Sequence, residues 1–177
     1  MQTSPVRYTL TAIVLHWALA ALIVVLIGIG SYMTELPRNA SKRSTLVSLH
    51  QALGLTAALL IVIRVYWSLA HAAPPLPVAL PAWQIRATQM GHRLLYLCMI
   101  LMPLTGYLGS SFGKHAIQLF GFDLPHWGWE DKFLQALLMD IHSAIAFVFF
   151  ALIVLHIAAA LKHHLLDRND VFRRMLP

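Results

Sequence analysis

Five histidines lie within or just inside long apolar runs of this chain: His16, His50, His92, His142 and His156. Imidazole exchanges protons near neutral pH and, when neutral, binds metals through a ring nitrogen. An ionisable group inside a membrane is costly and marks a functional site by default. For any one of these residues a hydrogen bond to a neighbouring helix would be explanation enough, so spacing and depth must decide. His142 and His156 are 14 residues apart. On a helix that interval turns through about 1400°, which returns to within about 40° of the same face, and it rises about 21 Å. One helical stripe therefore carries two rings, one near each surface of a bilayer.

The elements that must position these rings follow from composition. Of 177 residues, 59% are hydrophobic and 11% charged, against roughly a quarter charged in a soluble domain. Four apolar stretches, at about 10–32, 46–69, 88–108 and 137–161, reach the roughly 20 residues that a membrane helix needs. They are too long and too uniformly apolar for barrel strands, which alternate residue by residue. The predicted fold class is all-α: an integral membrane four-helix bundle forming a single domain over 1–177. The fourth helix is expected to start near Asp131 and run past Lys162, and Pro103 with Gly106 to bend the third near its outer end. The first run continues beyond the cleavage-like Ala18-Leu19-Ala20 to Ile29, so it reads as a retained helix and not a secretion signal. The lone Cys98 excludes an intrachain disulfide, and the absence of C-x-x-C-H excludes covalent c-type haem.

Three connections join the helices. The first holds Glu35, Arg38, Lys42 and Arg43; the second, Ala70–Ala87, carries Pro74, Pro75, Pro77 and Pro81 and is expected to be extended; the third carries Asp123, Glu130 and Asp131. With the N-terminus inside, Arg7, Arg64, Arg86, Arg93, Lys162, Arg168, Arg173 and Arg174 fall on the inner side. Arg38, Lys42, Arg43, Lys114 and Lys132 fall outside. Lys and Arg bias sets orientation, and eight against five places both termini in the cytoplasm.

Depth then sorts the histidines. The first helix enters from inside, so His16 lies about six residues, roughly 9 Å, below the inner surface, and His156 lies about as far from the inner end of the fourth helix. His50 lies just inside the outer end of the second helix, where His142 also lies. The pairs are His16/His156 inside and His50/His142 outside. Bis-imidazole ligation of a flat cofactor between facing helices is a natural bundle-core site, and two such pairs suit two haem b groups. A zinc or copper site needs three or four ligands on one point, whereas these pairs lie roughly 20 Å apart. A proton relay would not require matched depths.

Several other residues carry two readings. Gly54, one turn after His50, leaves room for a macrocycle or is a packing glycine. Arg64, on the same face as His50 near the inner surface, pairs with a propionate of the inner haem or snorkels. Phe149, midway between His142 and His156, fills the space between cofactors or simply packs. His92 has no obvious ligand partner; an interhelical hydrogen bond, a propionate and a quinone are its candidate contacts. His71, His115 and His126 read as solvated loop residues, and Trp17, Trp67 and Trp83 as interfacial anchors. His163, on the His156 stripe about 10 Å further inward, ends the fourth helix with His164. It is either a cation at a helix C-terminus or a proton donor to a quinone.

These residues resemble the bacterial cytochrome b561 family of small four-helix di-haem proteins. The likeness is carried by His16-Trp17, by His50 with Gly54 and Arg64, by His142 and His156, and by the tail Lys162-His163-His164…Asp170…Arg174-Met175-Leu176-Pro177. It implies haem ligation by the same four histidines, a multi-pass protein of the bacterial inner membrane, and an oxidoreductase that passes electrons from superoxide to ubiquinone. It also points to His163 as the catalytic residue on the quinone side. Neither nucleic acid nor an obligatory protein partner is expected. The outer face fits an anionic substrate poorly, because its five basic residues are matched by Glu35, Asp123, Glu130, Asp131 and Asp140, although Arg38, Lys42 and Arg43 cluster. The alternative is an electron-transfer subunit anchoring a hydrogenase or dehydrogenase, against which the short loops argue. A haem-free transporter would need an ionisable site at mid-depth, and none is present.

The orientation is testable directly. Alkaline phosphatase fused after the C-terminal residues is expected to be inactive and a fluorescent protein fused there to be bright; the reverse pattern would invert the topology.

Overall fold

A computed structural model describes residues 7–75, 81–168 and 170–176; Pro77 of the proline-rich connection and Pro177 of the tail lie outside the described residues. Four helices are present: α1 Leu10–Glu35, α2 Ser41–Ala70, α3 Ala82–Ser111 and α4 Lys132–Leu165. All four are long and apolar enough to cross a membrane. The protein is a four-helix membrane bundle, as its composition predicts.

Each helix outruns its apolar segment, because hydropathy registers only the lipid-facing part and the helical backbone continues into the interface. Local signals set the ends. Thr9 caps α1 through its hydroxyl oxygen, which accepts from Ala12 N at 3.3 Å. Asp131 caps α4, its Oδ1 accepting from Phe133 N and Leu134 N at 2.9 and 3.0 Å. α4 thus begins and ends where the sequence places it. α3 starts six residues before the expected Thr88, immediately after Pro81, which holds the N-cap position. Pro103 lies within α3 without interrupting it.

The helices pack as two pairs. α1 packs on α2, and α3 on α4, with a smaller α2–α3 contact. Leu19, Ala57 and Ile61 form the buried centre of the first pair, flanked by Leu22, Ile23, Leu26, Leu60 and Met99. α4 packs closely only against α3, and Phe149 is its one buried residue among those described. Large apolar side chains such as Val24, Leu59, Val62, Phe147 and Leu155 are exposed on the bundle surface, as expected where the solvent is lipid.

Both ends of the bundle are covered. At the end nearer His50 and His142 an antiparallel hairpin joins α3 to α4, with β1 Ile117–Leu119 paired to β2 Phe122–Leu124 in the register Ile117↔Leu124. Its turn places Phe120 and Gly121 at φ 50° and 92°; the second position suits glycine, which has no Cβ to clash there. Ile117 is fully buried and seats the hairpin on α2, and Tyr107 donates its hydroxyl to Pro125 O at 2.6 Å. At the end nearer His16 and His156 the tail folds back in a short 3₁₀ turn, Arg173–Met175. Trp17 Nε1 donates to Met175 O at 2.8 Å, and Arg174 donates to Pro75 O at 2.6 Å. The tail therefore ties α1 to the α2–α3 connection.

Candidate cofactor site

α4 presents His142 and His156 across the gap between the helix pairs. Opposite them stand His50 on α2 and His16 on α1. The His50 and His142 ring centroids are 6.3 Å apart, and those of His16 and His156 are also 6.3 Å apart. An imidazole nitrogen binds a first-row transition metal at about 2.0 Å, which puts the ring centroid roughly 3.1 Å from the metal, so two rings on opposite sides stand roughly 6.2 Å apart. Both pairs have the spacing of two imidazoles sharing one ion. Among the described residues no three His, Cys, Asp or Glu side chains converge as a metal cluster, so the arrangement is pairwise.

The outer pair fits bis-imidazole ligation in detail. His142 Nδ1 lies 3.0 Å from Met102 O and 3.2 Å from Thr105 Oγ1. Thr105 in turn donates to the Leu101 and Met102 carbonyls. A carbonyl can only accept, so the proton sits on Nδ1 and the Nε2 lone pair is left for a metal. His50 Nδ1 is buried without a hydrogen-bond partner among the described residues. Glycines stand behind both rings. A Cβ at Gly106 would meet His142 Cε1 at 3.2 Å, and one at Gly30 would meet His50 Cε1 at 3.3 Å. Between the rings opens a cavity of about 550 Å³, lined by His50, Gly54, Met102, His142 and Phe149 among others. That volume is in the range of cofactor pockets. A Cβ at Gly54 would meet nothing within 4 Å, so the glycine faces open space within the cavity wall.

The inner pair is more polar. Arg64 donates to Ala12 O at 3.1 Å, and its other terminal nitrogen lies 3.2 Å from His16 Nδ1. It points into the bundle, where its charge bears on the first-helix histidine. A guanidinium has no acceptor, so in this contact His16 Nδ1 accepts and the ring proton sits on Nε2. Ligation through Nε2 requires the opposite tautomer, and Arg64 must then turn to another acceptor, such as a carboxylate. His92 on α3, for which spacing gives no partner, stands with its ring 5.5 Å from that of His156. That is shorter than a shared metal requires, so the distance marks it as a ring contact. Its place follows from the α3–α4 register, which the sequence does not carry. A second cavity of about 250 Å³ opens here, lined by Tyr8, Arg64, Trp67, His92, Tyr96 and Met175.

Beyond His156 the stripe continues to His163, whose Nδ1 lies 2.9 Å from Asp167 Oδ2. Lys162 Nζ reaches both oxygens of the same carboxylate, at 2.9 and 2.6 Å. The Lys162 hydrogen bond is the main cause that holds the Asp167 carboxyl below its usual pKa. Sequence reasoning does not single out Asp167, although its place four residues after His163 is the signal. His164 lies against Phe172 of the tail, 5.2 Å ring to ring. Two of the loop histidines are exposed yet bonded: His71 stacks on Trp67 at 3.9 Å, and His126 Nδ1 lies 3.2 Å from Ser111 O. At the opposite end of the bundle Lys42 bonds Tyr32 and Arg43 bonds Met33 O, which keeps both cations at the α1–α2 corner.

A lipid-solvated bundle with imidazoles facing each other at two levels defines a membrane electron-transfer protein. Residues 7–177 match the sequence profile of prokaryotic cytochrome b561. Over 98% of its length the chain is 32% identical to Cytochrome b561 homolog 2 of Escherichia coli (strain K12), covering 93% of that protein. It is 25% identical to Cytochrome b561 homolog 1 of the same organism, over 97% of both chains. It is also 25% identical to the Probable superoxide oxidase CybB of Yersinia pestis, over 97% of this chain and 96% of that one. The chain belongs to the prokaryotic cytochrome b561 family, and is a multi-pass electron-transfer protein of the bacterial inner membrane that binds b-type haem.

The close approach of Gly106 to His142 yields a prediction. Gly106→Val is expected to push the ring off the Met102 carbonyl and weaken haem retention roughly 10–100-fold, the usual cost of losing a ligand's supporting bond. Haem content after washing with apo-myoglobin measures this; wild-type retention would contradict it.

Proposed function

We propose that this protein is a superoxide:ubiquinone oxidoreductase holding two haem b groups, the inner on His16 and His156 and the outer on His50 and His142, with both termini cytoplasmic. The observation that carries the di-haem reading is the equal 6.3 Å facing of both imidazole pairs, set about 21 Å apart along one stripe of α4. The superoxide reading is supported by full-length similarity to a relative named as a probable superoxide oxidase.

Bound haem supplies one-electron chemistry at each level, while the protein sets position and potential. On the outer side the Arg38, Lys42 and Arg43 corner draws the anion in. No acid or base is needed there, because oxidation of superoxide releases only O2. Met102 O orients His142 as a ligand, and Phe149, 5% exposed, packs between the two levels and excludes water. Arg64 offers its charge to a propionate carboxylate once His16 takes the ligating tautomer. At the inner side ubiquinone takes two electrons and two protons, with His163 as the proton donor. Two superoxide anions, one quinone and two protons then give two O2 and one quinol. The short connections argue against a large docking partner, and the proposal includes no obligatory protein partner.

Anaerobic addition of superoxide to the purified protein is expected to reduce its haems, and ubiquinone to reoxidise them. Haems that dithionite reduces but superoxide leaves oxidised would remove the superoxide role. A requirement for an iron–sulfur or nickel subunit would favour an anchoring subunit instead.

A further inference from the structure

We propose that Asp167 is a positioning residue for quinone reduction, acting through His163; this rests on the quinone half of the function above. His163 closes the ligand-bearing stripe of α4, and its side chain is 12% exposed, whereas those of Asp167 and Lys162 are 30% and 45% exposed. Burial therefore increases from Lys162 through Asp167 to His163. The carboxylate takes His163 Nδ1 at 2.9 Å. Its position is fixed by the backbone: Leu166 N and Asp167 N both donate to Lys162 O, at 2.9 and 3.1 Å. The chain then leaves the helix through Arg168 at φ 49°.

A carboxylate on one ring nitrogen fixes the imidazole's orientation and tautomer. With Nδ1–H held by Asp167, Nε2 is the atom that exchanges protons. In the loaded imidazolium Nε2 carries a proton that passes to a quinone oxygen as the electrons arrive. The neutral ring keeps its Nδ1–H bond to Asp167 and regains a proton on Nε2 from inner water before the second transfer. Two protons are thus delivered through this one residue, and the two electrons reach the quinone separately. The Lys162 ammonium on both carboxylate oxygens keeps Asp167 ionised, so the carboxylate orients the ring and does not itself carry the proton. The charged groups facing His163 from its own helix end are Asp167 and Lys162; the neighbouring His164 ring lies against Phe172 of the tail.

The test begins from full-length holoprotein reduced with dithionite and mixed anaerobically with a short-chain ubiquinone, so it needs no superoxide. Asp167→Asn is expected to slow maximal haem reoxidation roughly 10–100-fold, the range seen when a supporting carboxylate is lost, while the half-saturating quinone concentration changes less than about twofold. Asp167→Glu is expected to restore most of the rate, and the haem content and reduced spectrum to match wild type in both variants. Equal rates in wild type and Asp167→Asn, a change confined to half-saturation, or loss in Asp167→Glu equal to that in Asp167→Asn would each overturn the role of Asp167 alone. Failure of the wild-type protein to be reoxidised by quinone would overturn the quinone reading and this proposal with it.

Discussion

The structure depends on one constraint: α4 must hold two imidazoles toward α1 and α2 without packing on either helix. A helix in lipid gains nothing by hiding apolar side chains from its solvent, so association rests on close packing and on polar contacts. α4 takes its packing from α3, where Gly109 lies directly against Met139 and Thr105 reaches His142. The opposite face is thereby released for the paired rings. The division into α1–α2 and α3–α4 pairs places one imidazole of each pair on either side of the gap, as the proposed bis-imidazole ligation needs.

The two levels are built differently. The outer ring of His142 meets neutral acceptors, a carbonyl and a hydroxyl, among apolar walls. At the other level a guanidinium bears on His16 and a third histidine on His156, beside a cavity that Tyr8 and Tyr96 line. The asymmetry is of the kind that the proposed function asks for, an electron alone at the His50/His142 level and protons as well at the His16/His156 end. The folded-back tail completes the inner end: Met175 lines its cavity, and Arg174 ties the tail to the α2–α3 connection. This gives a structural reason for the terminal Arg-Met-Leu segment that sequence resemblance singles out.

Much of this is legible in the amino-acid sequence, because helix geometry turns residue number into depth. Counting alone places His142 and His156 on one face, and the partner of each follows from the direction in which each helix enters the membrane. What counting does not give is rotation between helices. It cannot bring His92 against His156, nor show that Arg64 bears on His16 Nδ1. The hairpin at Ile117–Leu124 is also hidden from it, its strands being three residues each with only the Phe120-Gly121 turn as a signal. Asp167 escapes the same reasoning because it lies past the last helical residue, where the chain's wrapping, not its periodicity, decides what a side chain touches.

The central claim is that four named imidazoles hold two irons at separate levels. Pyridine haemochrome analysis of purified, haem-replete protein, normalised to polypeptide by amino-acid analysis, tests it most directly. Two haem b per chain are expected, falling to one in His142→Ala and in His156→Ala, each variant losing a different spectral component. A single haem in the wild-type protein, or two retained in either variant, would contradict it.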